Sequence, residues 1–361
     1  MIKLSIILPL YNVAPYVEKC IRSLETQNIL KEDYEIICIN DGSQDNCKEI
    51  VGKLQQEFPN IILLNQENQG VSQARNNGIN RAIGKYLLFV DPDDYINQQV
   101  LAEVIQYTED ADLDLAIFGY KIFDVNGNNI YNFQPVFDKT RVISGITLFD
   151  EVYRGKAIQD PDRSWAILFK RSFIKKYNLS YIANIPYLED GELMARVFCL
   201  AERASFNGLC FYNRTTRIGS ATNSRLFNSD KAINGFFKAA KNLKAFREDV
   251  LTLNEQKAFM NQSIVKFTLL PLISCSDRHK LEQYWEIRKR LKKEKSQPLV
   301  LESCSPFYEK FGKYFNLSIT LFFVVWLLHK IKYSAIKSLA SMIKKLSKHL
   351  HIPEFQERNA E

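Results

Sequence analysis

The chain runs Tyr86-Leu87-Leu88-Phe89-Val90 and passes directly into Asp91-Pro92-Asp93-Asp94. Five apolar residues, aromatic and branched, ending at a turn signal, predict a buried central strand. Three carboxylates at the end of such a strand repel one another, and the cluster costs free energy unless something neutralises it. A hard divalent cation carrying a phosphorylated ligand is the natural neutraliser, since Mg²⁺ and Mn²⁺ favour carboxylate and phosphate oxygens. A plainer reading stands beside it: Pro92 fixes a turn and Asp94 caps a following helix.

The flanking sequence alternates strand and helix through the first 120 residues. Strands are predicted over residues 3–8, 34–39, 61–64, 86–90 and 113–118. Between them Val17, Cys20, Ile21 and Leu24, then Cys47, Ile50, Val51, Leu54 and Phe58, then Val71, Ala74, Gly78, Ile79 and Ala82 recur at helical spacing. Alternation of this kind predicts a parallel sheet covered by helices on both faces, with ligands at the carboxyl ends of the strands. Asn126-Gly127 predicts a hairpin. A mixed region follows to about residue 222, then a helical one in which residues 282–295, dense in mixed charge, read as a solvated helix.

Composition narrows the class. At 361 residues, 46% of them hydrophobic, the chain has room for two domains or for one with an appendage. Seven scattered cysteines without a CxxC pair suit a reducing compartment and oppose both a disulfide framework and a zinc site. The N-terminus enters a strand without a secretory signal, so a cytoplasmic location is expected. The net charge of +7 is concentrated in six lysines between His329 and Leu350, a span without acids. A basic surface confined to a tail opposes a nucleic-acid enzyme.

The tail has its own pattern. Residues 317–328 are almost wholly apolar, but twelve residues fall short of the ~20 that span a bilayer. Beyond them Ala335, Ile336, Leu339, Met342, Ile343, Leu346 and Leu350 repeat at helical spacing, with lysines opposite. The pattern reads as an interfacial anchor on anionic membrane, or as a core-packing helix with a solvated lysine face.

Each strand end in the first part carries polar residues: Pro9-Leu10-Tyr11-Asn12, then Asn40-Asp41-Gly42-Ser43-Gln44-Asp45, then Asn65 to Gly70, then the aspartate cluster. A parallel sheet brings them to one edge. Asp45 reads as a cap for the helix that follows, which leaves Asp41 unused. Arg75 lies on the stripe that periodicity assigns to burial, and a buried arginine must meet an anion, either the aspartate cluster or a bound phosphate.

The ordered set resembles family-2 glycosyltransferases of the GT-A fold: residues 5–12, the turn 40–45, the segment Asn68-Gln69-Gly70-Val71-Ser72-Gln73-Ala74-Arg75-Asn76-Asn77-Gly78, and residues 84–90 leading into a DxD-type cluster. The resemblance implies an α/β fold with a mostly parallel sheet and a helical C-terminal extension. It implies a nucleotide-sugar half at 1–120, an acceptor half at 121–225, a helical extension at 226–312 and the tail at 313–361. It implies a nucleotide-sugar donor, typically a UDP-sugar, transferred with inversion. Pro9, Tyr11, Asn12, Asp41, Gly42, Ser43 and Arg75 would hold the nucleoside. Asp91 and Asp93 would contact the ribose and the metal-diphosphate, and Asp93 or Asp94 would bind Mn²⁺ or Mg²⁺.

Further along, residues 164–171 resemble the segment before the acceptor site of bacterial members, and Leu188-Glu189-Asp190-Gly191-Glu192 resembles the family's ED motif. That motif implies Asp190 as general base with Glu189 in support; by position alone Asp190 reads as an N-cap. Tyr212-Asn213-Arg214 with Gly219-Ser220-Ala221-Thr222 resembles a segment over the donor diphosphate, Arg214 supporting the leaving group. The processive Gln-x-x-Arg-Trp signature is absent, favouring single-sugar transfer to a saccharide or lipid-linked saccharide in capsule, exopolysaccharide or lipopolysaccharide synthesis. Two alternatives stay open: a nucleotidyltransferase of related fold, opposed by the lack of glycine and lysine in residues 9–15, and a non-catalytic sugar- or nucleotide-binding module. The sequence leaves oligomeric state open.

Overall fold

A computed structural model describes residues 1–154, 161–217, 226–276 and 281–333. Strands β1 (Leu4–Leu10), β2 (Tyr34–Asp41), β3 (Ile61–Gln66) and β4 (Tyr86–Phe89) lie parallel in the order β3-β2-β1-β4. Every residue of β1 and β2 is buried, so helices cover both faces, as continuous apolar runs require. The connecting helices are α1 (Ala14–Glu25), α2 (Cys47–Glu57) and α3 (Val71–Arg81). A Cβ at Gly78 would stand 2.4 Å from Ile7 Cγ2. Only glycine there lets α3 approach the sheet closely enough to carry Arg75 beneath the strand ends.

Beyond β4 the sheet departs from the parallel order expected. The short β5 (Tyr95–Ile96) and α4 (Leu101–Asp110) lead to β6 (Leu115–Phe123), which is not the neighbour of β4. The gap is filled by β8 (Ile167–Lys170), antiparallel to both. Hairpin strand β7 (Asn129–Phe133) pairs with β6 after the turn at Asn126-Gly127, where Gly127 has φ +81°. β9 (Ala204–Thr215) lies parallel to β6, and β5 pairs antiparallel to β9. Because β8 runs against β4, the residues that precede it are returned to the end of β4; Trp165 bridges Phe89. Because β9 runs with β6 and hence with β4, its last residues reach the same edge.

Helices α5 (Gly145–Val152), α6 (Arg171–Lys176) and α7 (Glu189–Leu200) flank this half, and α8 (Asp230–Asp249), α9 (Asn254–Cys275), α10 (Leu281–Lys293) and α11 (Pro306–Leu317) form the helical extension. Among the described residues α9 alone is long and apolar enough to cross a membrane, and most of it is buried against α7, α8, α10 and α11. The mixed-charge α10 is not wholly solvated: Tyr284, Ile287 and Leu291 form a buried stripe. Residues 319–333 are helical, and the amphipathic repeat from Ala335 to Leu350 lies outside the described residues. All seven cysteines are free, most of them buried.

Candidate active site

The first two strand ends are stitched together. Asn12, at φ 52°, accepts through Oδ1 from Gln44 N (2.8 Å), and its own N–H donates to Ser43 Oγ (3.3 Å). Asp45 accepts from Cys47 N at the start of α2 and, through its other oxygen, from Ala14 N (2.8 Å); the cap position of α2 is Asn46, and Asp45 one residue before it ties the starts of α1 and α2 together. Asp41 is buried; it accepts from Gln69 N (2.7 Å), Gly70 N (2.9 Å) and the Gln66 amide (2.7 Å). It therefore fixes the turn into α3, the use its sequence position left open. Gly42 (φ +70°) sits where a Cβ would meet Asn68 N at 2.8 Å. Pro9 and Leu10 close the buried strand β1, and Tyr11 just beyond them is 48% exposed. Gly42, Gln44, Asn65, Gln66, Glu67 and Asn68 line an open hollow of about 500 Å³ beside these loops.

The aspartate cluster is a turn, with Asp94 N donating to Asp91 O (3.0 Å), and it leads into β5 rather than a helix. The capping role for Asp94 is thereby corrected. Asp94 is buried, and both its oxygens are engaged, by Tyr212 Oη (2.7 Å) and Thr215 N (2.7 Å). Burial, then the Asp91 and Asp93 charges, push its carboxyl well above the usual range. Asp93 pairs with Arg217 Nε, and burial followed by the Asp91 charge raises its pKa as well. Arg217 lies over the Tyr16 ring at 5.5 Å, and Arg214 over Trp165 at 6.0 Å. Trp165 stacks in turn on Tyr212 (4.9 Å).

Arg75 is the hub. Its guanidinium, 3% exposed, bonds Asp91 Oδ1 (3.0 Å), Glu189 Oε1 (2.9 Å) and Asp190 Oδ1 (3.3 Å), over the Tyr181 ring at 5.2 Å. The anion its burial demanded is the carboxylate cluster, reached from two sides. Asp190 is not an N-cap. The cap position of α7 is Leu188, held at φ 60°, ψ 29° with no side-chain cap bond. A branched apolar residue in the left-handed region is strained, of order 1–3 kcal/mol, and such strain collects at functional sites. Asp190 Oδ1 also accepts from the buried Ser164 Oγ (2.7 Å). Burial, then the Glu189 and Asp91 charges, outweighs Arg75 and Ser164 and pushes the Asp190 carboxyl up to about 7.

Of five clustered carboxyl groups, Asp91, Glu189 and Asp190 pair with Arg75 and Asp93 with Arg217, while Asp94 is held by Tyr212 and Thr215. Two further buried polar atoms, Arg75 Nε and the Tyr181 hydroxyl, make no hydrogen bond. Surplus hard oxygens and unsatisfied donors suit a divalent cation and a polar ligand. Among the described residues no three His, Cys, Asp or Glu side chains converge as a ready-made metal site. A cation here would need ligand oxygens from a substrate.

Residues 5–176 match the sequence profile of glycosyl transferase family 2. These residues are a family 2 glycosyltransferase domain. The uncharacterized glycosyltransferase EpsJ of Bacillus subtilis is 31% identical over 210 residues, 58% of this chain and 60% of EpsJ. The poly(ribitol-phosphate) beta-glucosyltransferase of Bacillus spizizenii is 28% identical over 205 residues, 56% of this chain and 30% of that one. The chain therefore spans less than two thirds of either relative. The Staphylococcus aureus TarS 1–349 structure in complex with UDP-GlcNAc shares the fold, with TM-score 0.65 over 92% of each chain at 20% identity.

The matched stretch ends before several residues of the cluster. Asp190 and Glu189 of α7 and Tyr212, Thr215 and Arg217 of the β9 end lie past residue 176 in sequence, yet converge with Asp91, Asp93 and Asp94. Sequence reasoning named neither Arg217 nor Tyr212 as a contact of the cluster, nor Ser164 as a partner of Asp190. Ser164 stood at the edge of a segment already singled out; nothing local marked Arg217. Residues 219–222 lie outside the described residues.

Proposed function

We propose that the protein moves a single sugar from a nucleotide sugar, a UDP-sugar by preference, to an acceptor hydroxyl with inversion, with help from Mn²⁺ or Mg²⁺. The observation that carries this reading is Asp190: a buried carboxyl with a pKa of about 7, held by Arg75 and Ser164 one guanidinium away from the donor-side Asp91. A general base works best with a pKa near the operating pH. Asp190 takes the proton from the acceptor hydroxyl as its oxygen bonds to the anomeric carbon. The bond from that carbon to the diphosphate breaks, and the nucleoside diphosphate leaves. The name of the Bacillus spizizenii relative specifies a β-glucosyl transfer. A β-link is what inversion of an α-linked donor yields.

In this reading Pro9, Tyr11, Asn12, Gly42 and Ser43 form the nucleoside end, with Tyr11 free to stack and Asp41 holding the wall. Asp91 and Asp93 face the ribose and diphosphate. Since Asp94 is turned inward to Tyr212 and Thr215, we assign the metal to Asp93, which must exchange Arg217 for it. When bound, the metal would act as a Lewis acid for the leaving diphosphate. Arg75 orients Asp190 and Asp91, and Glu189 shares its charge. Arg214 and Arg217 supply positive charge toward the diphosphate. The acceptor is a saccharide or lipid-linked saccharide of the cell surface, and the reaction lies at the inner face of the cell membrane.

A panel of nucleotide sugars, with and without Mn²⁺, tests the proposal; hydrolysis of none of them would sink it. Asp93→Ala should lose at least about tenfold in metal-dependent nucleotide affinity, measured by calorimetry with and without EDTA. Equal affinity of parent and variant in the presence of Mn²⁺ would remove the metal from Asp93.

A further inference from the structure

Helix 319–333 carries two apolar faces where a surface helix usually has one. The inner face is satisfied by protein. Ile319 and Phe322 are buried, Tyr284 of α10 stacks on Phe323 at 4.4 Å, Phe311 of α11 lies against Trp326 at 5.3 Å, and the Trp326 indole donates to Ser276 Oγ (3.0 Å). The outer face holds Leu321, Val324, Leu328 and Ile331, which are 39%, 47%, 62% and 66% exposed. Their spacing of three, four and three places them on one stripe. A continuous apolar stripe in water marks a contact surface.

The sequence says what covers it. From Ser318 to Leu350 there are six lysines and no acid. A second copy would set two such acid-free, lysine-rich segments side by side, so their like charges would oppose the burial of the stripe. An anionic bilayer supplies both an apolar boundary and the opposite charge, about 1 kcal/mol for each lysine near the surface. We propose that the outer face of helix 319–333 is a membrane-docking surface: the helix lies in the plane of an anionic bilayer, with Leu321, Val324, Leu328 and Ile331 in the acyl boundary. The inner face bolts the helix to α10 and α11, so the helical extension docks as a rigid body. This rests on the tail being the membrane contact and names the face that makes it.

The test is co-sedimentation of the full chain with vesicles of phosphatidylglycerol and phosphatidylcholine. The parent should bind, and Leu321→Gln/Leu328→Gln/Ile331→Gln should bind at least about tenfold more weakly while melting at the parental temperature. Equal binding by this variant, or no binding by the parent, overturns the proposal. So does a parent that is dimeric in sedimentation velocity with a monomeric variant, which would make the face a self-association surface. Binding only after truncation beyond Tyr333 would mean that the chain's own terminus covers the stripe, and it overturns the proposal too. Donor hydrolysis without vesicles is measured alongside. Vesicle binding with no hydrolysis of any donor defeats the transferase reading and leaves the docking surface standing; hydrolysis without vesicle binding does the reverse.

Discussion

Asp190→Asn is expected to lower transfer by about 10²–10⁴-fold, the range that a general base contributes, while nucleotide affinity stays within about twofold of the parent. Asparagine keeps the shape and can still accept from Ser164 and Arg75, so the geometry survives. What disappears is the ability to take the acceptor proton. The parent should show a kcat that rises through about pH 7 as Asp190 ionises, because the carboxyl is pushed up to that value and only its charged form is a base. The variant's residual rate should lack this limb. The variant should also melt no lower than the parent at pH 8, since it deletes a charge that burial disfavours there. Near-normal turnover, or an unchanged acidic limb in the variant, would take the base role from Asp190. The same result with intact donor hydrolysis would point to another acceptor-side base.

The parallel half of the fold is legible because three local signals agree there: apolar runs for β1 to β4, helical spacing between them, and polar turns at the strand ends. The other half is not, because four-residue β8 reads the same in either direction and its partners are remote in sequence. That insertion matters for the site, since it returns Ser164 and Trp165 to the end of β4. Arg75 can be anticipated from its place on a buried stripe, though not its partners: two of them, Glu189 and Asp190, are more than a hundred residues away. Asp190 is legible only through its resemblance to a family motif; by spacing alone it looks like a cap, and the structure gives that position to Leu188. Arg217 has no signal, because an ion pair across 124 residues leaves no local pattern. Asp94 misleads for a physical reason. Three clustered aspartates look equivalent in sequence, yet a turn aims one inward and leaves the others at the strand end.

Replacing Arg75 should have the largest effect on the protein as a whole. Its guanidinium is the shared counter-ion of Asp91, Glu189 and Asp190, so Arg75→Met strands three carboxyl groups in a buried site. Breaking a buried pair by removing one partner costs roughly 3–5 kcal/mol. The sign with pH follows from the carboxylates. In the variant the Asp190 carboxyl, already pushed up to about 7, moves higher still, so the folded state keeps a proton at pH values where the parent's Asp190 has ionised. The stability deficit should therefore grow as pH rises through about 7, where Asp190 ionises in the folded parent but not in the folded variant, and shrink on acidification. In the same variant the acidic limb of kcat should move to higher pH, because Arg75 is the principal group holding Asp190 down. Arg75→Lys separates charge from geometry. A lysine restores a positive charge but cannot fork between Asp91 on one side and Glu189 and Asp190 on the other. It should recover most of the melting temperature and little of the rate. Melting curves at pH 5 and pH 8, set beside pH–rate profiles, decide the matter. A deficit equal at both pH values with an unmoved acidic limb would make Arg75 a packing residue. A deficit that grows with pH and a displaced limb would make it the electrostatic link between the donor aspartates and the base.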